Sequence, residues 1–194
     1  MSLFYYDFET TGLNPFYNKI IEYCFMKPDG SYVNSLVNPG VQISDKIQQI
    51  THITNNDLHG MPSIDDKKNE IETFLNISNT EYIFLVAHNN ANFDRFFFKQ
   101  IFKNDAIMKP ILGVKVKYID SIHLAKYVLP HFKTFNLGYL CRSFGVEEGT
   151  HRATQDTLSL KLLFEKLVFL LSKKENIEYK LLMSNPDIIY DIIY

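Results

Sequence analysis

Short apolar runs bounded by turn residues alternate along this chain with longer stretches whose apolar positions recur every three or four residues. Leu3 to Phe8 is aromatic-rich and reads as a strand ended by Thr10-Thr11-Gly12. Lys19 to Met26 and Tyr32 to Val37 flank Pro28-Asp29-Gly30, the pattern of two strands joined by a tight turn. Tyr82 to Ala87 (YIFLVA) is continuously apolar, which predicts a strand buried on both faces, and Val114 to Ile119 predicts another. Helical spacing follows Ser63, which forms a capping-box pattern with Asp66, and runs through Leu75. It returns over Phe93 to Phe102, over Ser121 to Leu129 behind Asp120 as cap, and briefly after Asn136 until Gly145. Thr154 to Leu171 is predicted as the last strong helix, apolar almost all round in its second half and therefore buried.

This order predicts an α/β domain with a mixed sheet: an antiparallel meander first, crossover helices afterwards. Residues 1–171 hold no repeat or linker and are read as one domain. Residues 172–194 are read as a tail whose closing Tyr/Ile run packs on that domain, with a partner-docking peptide as the alternative. The length of 194 residues fits this reading, and 46% apolar residues with 16 Phe and 12 Tyr exclude disordered, collagen-like and coiled-coil chains. Cys24 and Cys141, far apart, make no disulfide framework and suggest a reducing compartment. No apolar stretch is long enough to span a membrane, and the first residues lack a basic n-region, so a soluble, cytoplasmic domain is expected.

A net charge of −2 argues against a protein that coats nucleic acid. The distribution is uneven: residues 1–81 hold 11 acids and 5 Lys, whereas Lys99 to Lys133 hold seven Lys against Asp105 and Asp120. That stretch is either a solvated face or a track for phosphates.

Asp7 and Glu9 stand two apart on a predicted strand, so both point to one face at the end of a buried run. Paired carboxylates there repel unless a proton or cation lies between them, and hard oxygen donors suit Mg²⁺ or Mn²⁺ better than zinc. Asp94 falls in the first turn of a predicted helix, and Asp156 lies early in the last helix beside Leu158, Leu160 and Leu163. Four acids from one strand and two helix starts could converge on a two-metal site. His151 precedes Asp156 by five residues, a step of about 140° on a regular helix. It should therefore hang from the irregular segment before the helix, placed to act as a general base.

DFETTGL (Asp7 to Leu13), AHNNANFD (Ala87 to Asp94) and HRATQD (His151 to Asp156) resemble the three motifs of the DEDDh 3′–5′ exonucleases. THITNNDLHGMP (Thr51 to Pro62) resembles that family's "HGI" loop, and the resemblance covers residues 3–171. It implies a ribonuclease H-like fold and two divalent ions, Mg²⁺ or Mn²⁺, held by Asp7, Glu9, Asp94 and Asp156. His151 would take a proton from the attacking water, and a nucleoside 5′-monophosphate would leave. Backbone groups of Thr10, Thr11 and Gly12 would hold the last nucleotide, Ile53 would pack on its base, and Asn89 would help hold the strand. Phe16 and Tyr17 either stack on bases or pack in the core. Lys99 and Lys103, one turn apart on the helix of Asp94, are the expected phosphate contacts. His52 departs from the family pattern, replacing the glycine of "HGI", which bears on the shape of the base pocket.

The resemblance therefore implies an exonuclease of DNA 3′ ends, single-stranded or frayed, in proofreading or repair. No polymerase sequence accompanies it, so it is expected to act alone or as a separate subunit beside a polymerase or replication partner. Trimming of RNA 3′ ends is the alternative within the class. An inactive nuclease fold serving as a binding or scaffold subunit is the alternative outside it, and the intact acids and His151 speak against that.

Overall fold

A computed structural model describes residues 2–77, 80, 82–102 and 115–194. Lys103, one of the expected phosphate contacts, lies outside the described residues, as does the middle of the Lys99–Lys133 stretch. Five strands form one sheet: β1 (Ser2–Thr10), β2 (Ile20–Met26), β3 (Tyr32–Leu36), β4 (Tyr82–Ala87) and β5 (Lys115–Asp120), in the order β3-β2-β1-β4-β5. The first three pair antiparallel, β2 and β3 through the Pro28-Asp29-Gly30 turn, while β4 and β5 join in parallel. The mixed sheet flanked by helices matches the expected fold class.

Alternation along the strands divides the core into two layers. Phe4, Tyr6 and Phe8 on β1 join Tyr23, Phe25, Ile83 and Leu85 on one face. That face is covered by α3 (Ile64–Leu75) and α4 (Asp94–Ile101). Leu3 and Tyr5 with Cys24, Phe84 and Val86 form the other face. It is covered by α5 (Ser121–Val128), α6 (Leu137–Ser143) and α7 (Ala153–Glu175). Ser63 and Asp66 close the capping box at α3, Asp120 caps α5 and Asn136 caps α6, each as the sequence predicts. Two short helices were not foreseen: α1 (Asp45–Thr51) and α2 (Asn55–Leu58), which with the segments flanking them cover Ile21 through Ile43, Ile47, Ile53 and Leu58.

α7 is less enclosed than its composition suggests. Leu162 and Phe169 stay exposed because the helix lies on the sheet by one face only. It runs to Glu175, so the expected boundary at 171 falls within it. Beyond it, α8 (Tyr179–Ser184) and α9 (Pro186–Ile193) bury Leu182 and Ile189 in the α7-side core. Lys117 pairs with Asp187, and the Asp120 amide donates to the Tyr194 hydroxyl at 3.1 Å. Among the described residues no helix is long and apolar enough to cross a membrane.

The two central strands are unequal in reach. β1 pairs with β4 only as far as Tyr5 opposite Val86, whereas its pairing with β2 continues past Glu9 to an irregularity at Thr10. Asp7 and Glu9 thus lie where β1 has a ladder partner on one side, and the loop between β4 and α4 fills the other.

Candidate active site

Alternation carries the face of Leu3 and Tyr5 onward to Asp7 and Glu9, the face on which α7 packs. Asp156, in the first turn of α7, arrives on that side, while Asp94 opens α4 from the opposite layer. Asp7, Glu9, His151 and Asp156 line a cavity of about 400 Å³. One ligand atom each from Glu9, His151 and Asp156 lies within 4.8 Å of the others. Asp94 is buried behind them, and its Oδ1 has no hydrogen-bond partner. His151 is exposed, with a left-handed φ of 55°, and stands outside the helix, before the capping residue Arg152.

Burial first, and neighbouring carboxylates second, raise these acids above their ordinary range. Burial, then the charges of Asp94, Glu9 and Asp156, raise Asp7 well above the usual carboxylate range. Burial, followed by Asp156, Glu22 and Asp94, pushes Glu9 up to about 8, against the pull of Arg152. Burial takes Asp94 to about 8 although the backbone amides of Asp94 and Phe8 oppose it. Asp156 rises to about 6, also by burial, with His151 holding it down. Hard oxygen donors in mutual repulsion, one with an orphaned buried oxygen, fit a divalent cation.

Several residues have a part in building this site that the sequence does not announce. Glu22, directly across the ladder from Glu9, is 2% exposed and takes hydrogen bonds from Arg152 Nη2 and Nε and from the Ala153 amide. It ties the first residue of α7 to the sheet. Asn90 is fully buried; it accepts from the Tyr6 hydroxyl at 2.5 Å and donates to the carbonyls of Leu85 and Ile119. Asp120, foreseen only as a cap, also accepts from the amides of Asn89 and Ala91 and so fixes the turn before Asp94. Gly149 lies so close to Asp156 that a Cβ there would collide with its carboxylate.

The other expected residues divide. Thr10 and Gly12 line the cavity, together with Leu13. Thr11 instead closes the following loop, its amide donating to the Lys19 carbonyl at 2.8 Å and its hydroxyl accepting from Lys19 and Asn18. Asn89 is exposed in the turn beside the cavity-lining His88, with φ 64°. Ile53 is 1% exposed, packed with Ile21, Ile43 and Leu58, and Ile47 and Ile50 of α1 line the cavity in its place. His52 takes the left-handed cap of α1 at φ 56°, a conformation glycine adopts without strain, which accounts for glycine at that point of the "HGI" pattern. Lys99 is not brought to the cavity; it lies beside the rings of Phe96 and Tyr118, 5.8 and 5.9 Å from their centres. Phe16 and Tyr17 are in solvent rather than in the core.

The sequence pattern of the exonuclease family RNase_T matches residues 4–164. The chain is 36% identical over 171 residues to the PolC-type DNA polymerase III of Clostridium perfringens and 32% identical over 169 residues to that of Halalkalibacterium halodurans. Both alignments cover 84% of this chain, which spans only 11% of the length of those relatives. In fold it is similar to Escherichia coli exonuclease I in a complex with single-stranded DNA, with a TM-score of 0.71, 16% identity, and coverage of 90% of this chain and 41% of the other. An exonuclease I from Methylocaldum szegediense gives 0.70 at 17% identity, covering 95% and 43%.

Proposed function

The chain belongs to the exonuclease family, in its DEDDh 3′–5′ branch, and on that premise we propose that it removes nucleotides from single-stranded or frayed 3′ ends of DNA. The observation that carries this reading is the meeting of Glu9, His151 and Asp156 in one cavity, with Asp7 beside them and Asp94 behind. DNA is favoured over RNA because the relatives are DNA polymerases and the similar exonuclease I is held in complexes with single-stranded DNA and a dT13 oligonucleotide. The polymerase relatives also support work beside a polymerase, in proofreading or repair. Two buried, unpaired cysteines support a cytoplasmic setting.

Asp7, Glu9, Asp94 and Asp156 are the residues to hold two Mg²⁺ or Mn²⁺ ions. Bound ions of this kind stabilise charge developing on the phosphate and on the departing oxygen. His151, on its exposed segment, takes the proton of the attacking water at a ring nitrogen. Backbone groups of Thr10 and Gly12 hold the terminal nucleotide, while Thr11, whose amide is bound to the Lys19 carbonyl, holds their loop. Ile47 and Ile50 meet the nucleotide's base in place of the buried Ile53, and Asn89 supports the strand at the rim.

The test compares labelled single-stranded DNA and RNA of one sequence, with Mg²⁺ and with Mn²⁺. DNA shortened from its 3′ end to nucleoside 5′-monophosphates, and blocked by a 3′-phosphate, is the expected result. Faster loss of RNA would transfer the reading to RNA trimming, and cutting of a circular single strand would end it.

A further inference from the structure

Leu13, Phe16 and Tyr17 are 83, 82 and 83% exposed, and they belong to one short loop. Large apolar side chains so fully in water are a cost unless they meet a ligand. Their loop is not slack. The Asn14 carbonyl accepts from the amides of Tyr17 and Asn18, Asn14 Oδ1 accepts from the Phe16 amide at 2.9 Å, and Asn18 Oδ1 accepts from the Asn14 amide at 2.9 Å. Asn18 also donates to Thr11, which fastens the loop to the end of β1. The backbone is therefore held while the apolar side chains project.

Between this loop and the start of α4 runs a groove of about 390 Å³, walled by Leu13, Phe16, Asn92 and Phe96. Leu13 also belongs to the wall of the active-site cavity, so the two spaces meet at that residue. Two cations stand over the Phe96 ring: the Arg95 guanidinium carbon at 4.8 Å from its centre and Lys99 Nζ at 5.8 Å. Neither forms an ion pair with a described residue. An apolar peptide would use the rings and leave the cations idle. A flat base followed by a phosphate uses both.

We propose that the groove between Phe16 and Phe96 is a stacking subsite for an unpaired base lying upstream of the 3′ nucleotide in the cavity, with Arg95 and Lys99 facing the phosphates. The inference rests on the exonuclease reading for the direction of the strand. It also gives Lys99 a place near the substrate that does not depend on the cavity wall.

The experiment measures binding of a fluorescein-labelled short oligothymidylate by anisotropy, in the presence of chelator so that nothing is cleaved. A second strand carries abasic residues at the second to fourth positions from the 3′ end. The intact protein should prefer the full strand by about tenfold, the scale of one stacked base. Phe16→Ala should abolish that preference, and Phe16→Trp should keep it; Phe16 is in solvent, so neither change threatens folding. A preference that survives Phe16→Ala, or an intact protein that binds both strands equally or neither, overturns the subsite. Release of thymidine 5′-monophosphate on adding Mg²⁺ is scored separately. A base preference without that release supports the subsite and removes the exonuclease reading.

Discussion

The Arg152 guanidinium closes on the carboxylate of Glu22 from 130 residues away, Nη2 donating to Oε1 at 2.8 Å, and the Ala153 amide shares the same carboxylate. The carboxylate is 2% exposed and the guanidinium 42%, so the pair sits at the mouth of the buried layer. Through it, the residues on either side of the α7 start are fixed with respect to β2, and His151 and Asp156 with them.

Arg152→Ala should leave the buried Glu22 carboxylate held only by the Ala153 amide. The expected loss is about 2 kcal/mol, less than the roughly 3–5 kcal/mol for breaking a fully buried pair, because the arginine is half in water. Denaturant unfolding measures it, and a midpoint unchanged from the parent would show that Glu22 needs no partner.

The metal-free protein should lose stability as pH rises. Glu9 and Asp94 at about 8 and Asp156 at about 6 lie above their ordinary values of 4.5, 3.8 and 3.8. The folded chain then keeps protons that the unfolded chain has released, so the stabilisation is full below about pH 4 and fades through pH 8. Mg²⁺ should flatten the fall. Asp7→Asn should raise the unfolding temperature of the metal-free protein at pH 8 while abolishing cleavage; a lower unfolding temperature would show that the acids do not repel as described.

His151→Ala should lower turnover by about 10²–10⁴-fold, the range for losing a general base. Metal titration by calorimetry should be little changed. Its abolition would make the imidazole a ligand instead, an arrangement the 4.8 Å cluster of Glu9, His151 and Asp156 also permits.

Gly149→Ala should act on Asp156 rather than on the fold. The added methyl competes with the carboxylate for one space and also presses on the Asp156 Cα at 3.1 Å, so the side chain must swing away and the start of α7 give slightly. Metal affinity and turnover should fall by about tenfold or more, the lower end of what disturbed supports of metal ligands cost. Thermal unfolding of the metal-free protein should move little; a large drop with normal metal affinity would contradict the assignment.

Local rules made much of the sheet legible. YIFLVA became β4 because strands paired on both sides and covered on both faces favour unbroken apolar runs, and Ser63, Asp120 and Asn136 cap the helices they precede. The step from His151 to Asp156 could not fit one helical face, and the positive φ of His151 shows the chain breaking there. The helices α1 and α2 are too short to display a period, although Thr54 and Asp57 repeat the capping arrangement of Ser63 and Asp66. Ile53 was expected at the base pocket from its motif position; its burial depends on Ile21 and Ile43, which adjacency in sequence does not reveal. Glu22 looked like one more strand residue, because nothing near it in sequence announces Arg152.

β1 outreaches β4, and that mismatch in strand length has a consequence for how such a domain tolerates change. Past Val86 the place beside β1 is taken by residues 88–93, and the chain returns with Asp94 at the height of Asp7. One residue added to or removed from this turn would shift Asp94 against a fixed strand, with Asn90 and Asp120 losing register as well. The Pro28-Asp29-Gly30 turn between β2 and β3 carries no such dependence, since neither strand delivers a residue from that end to the cavity. Tolerance to insertion and deletion is therefore polar along the sheet axis: permissive at the hairpin end, and closed where the longer strand stands alone.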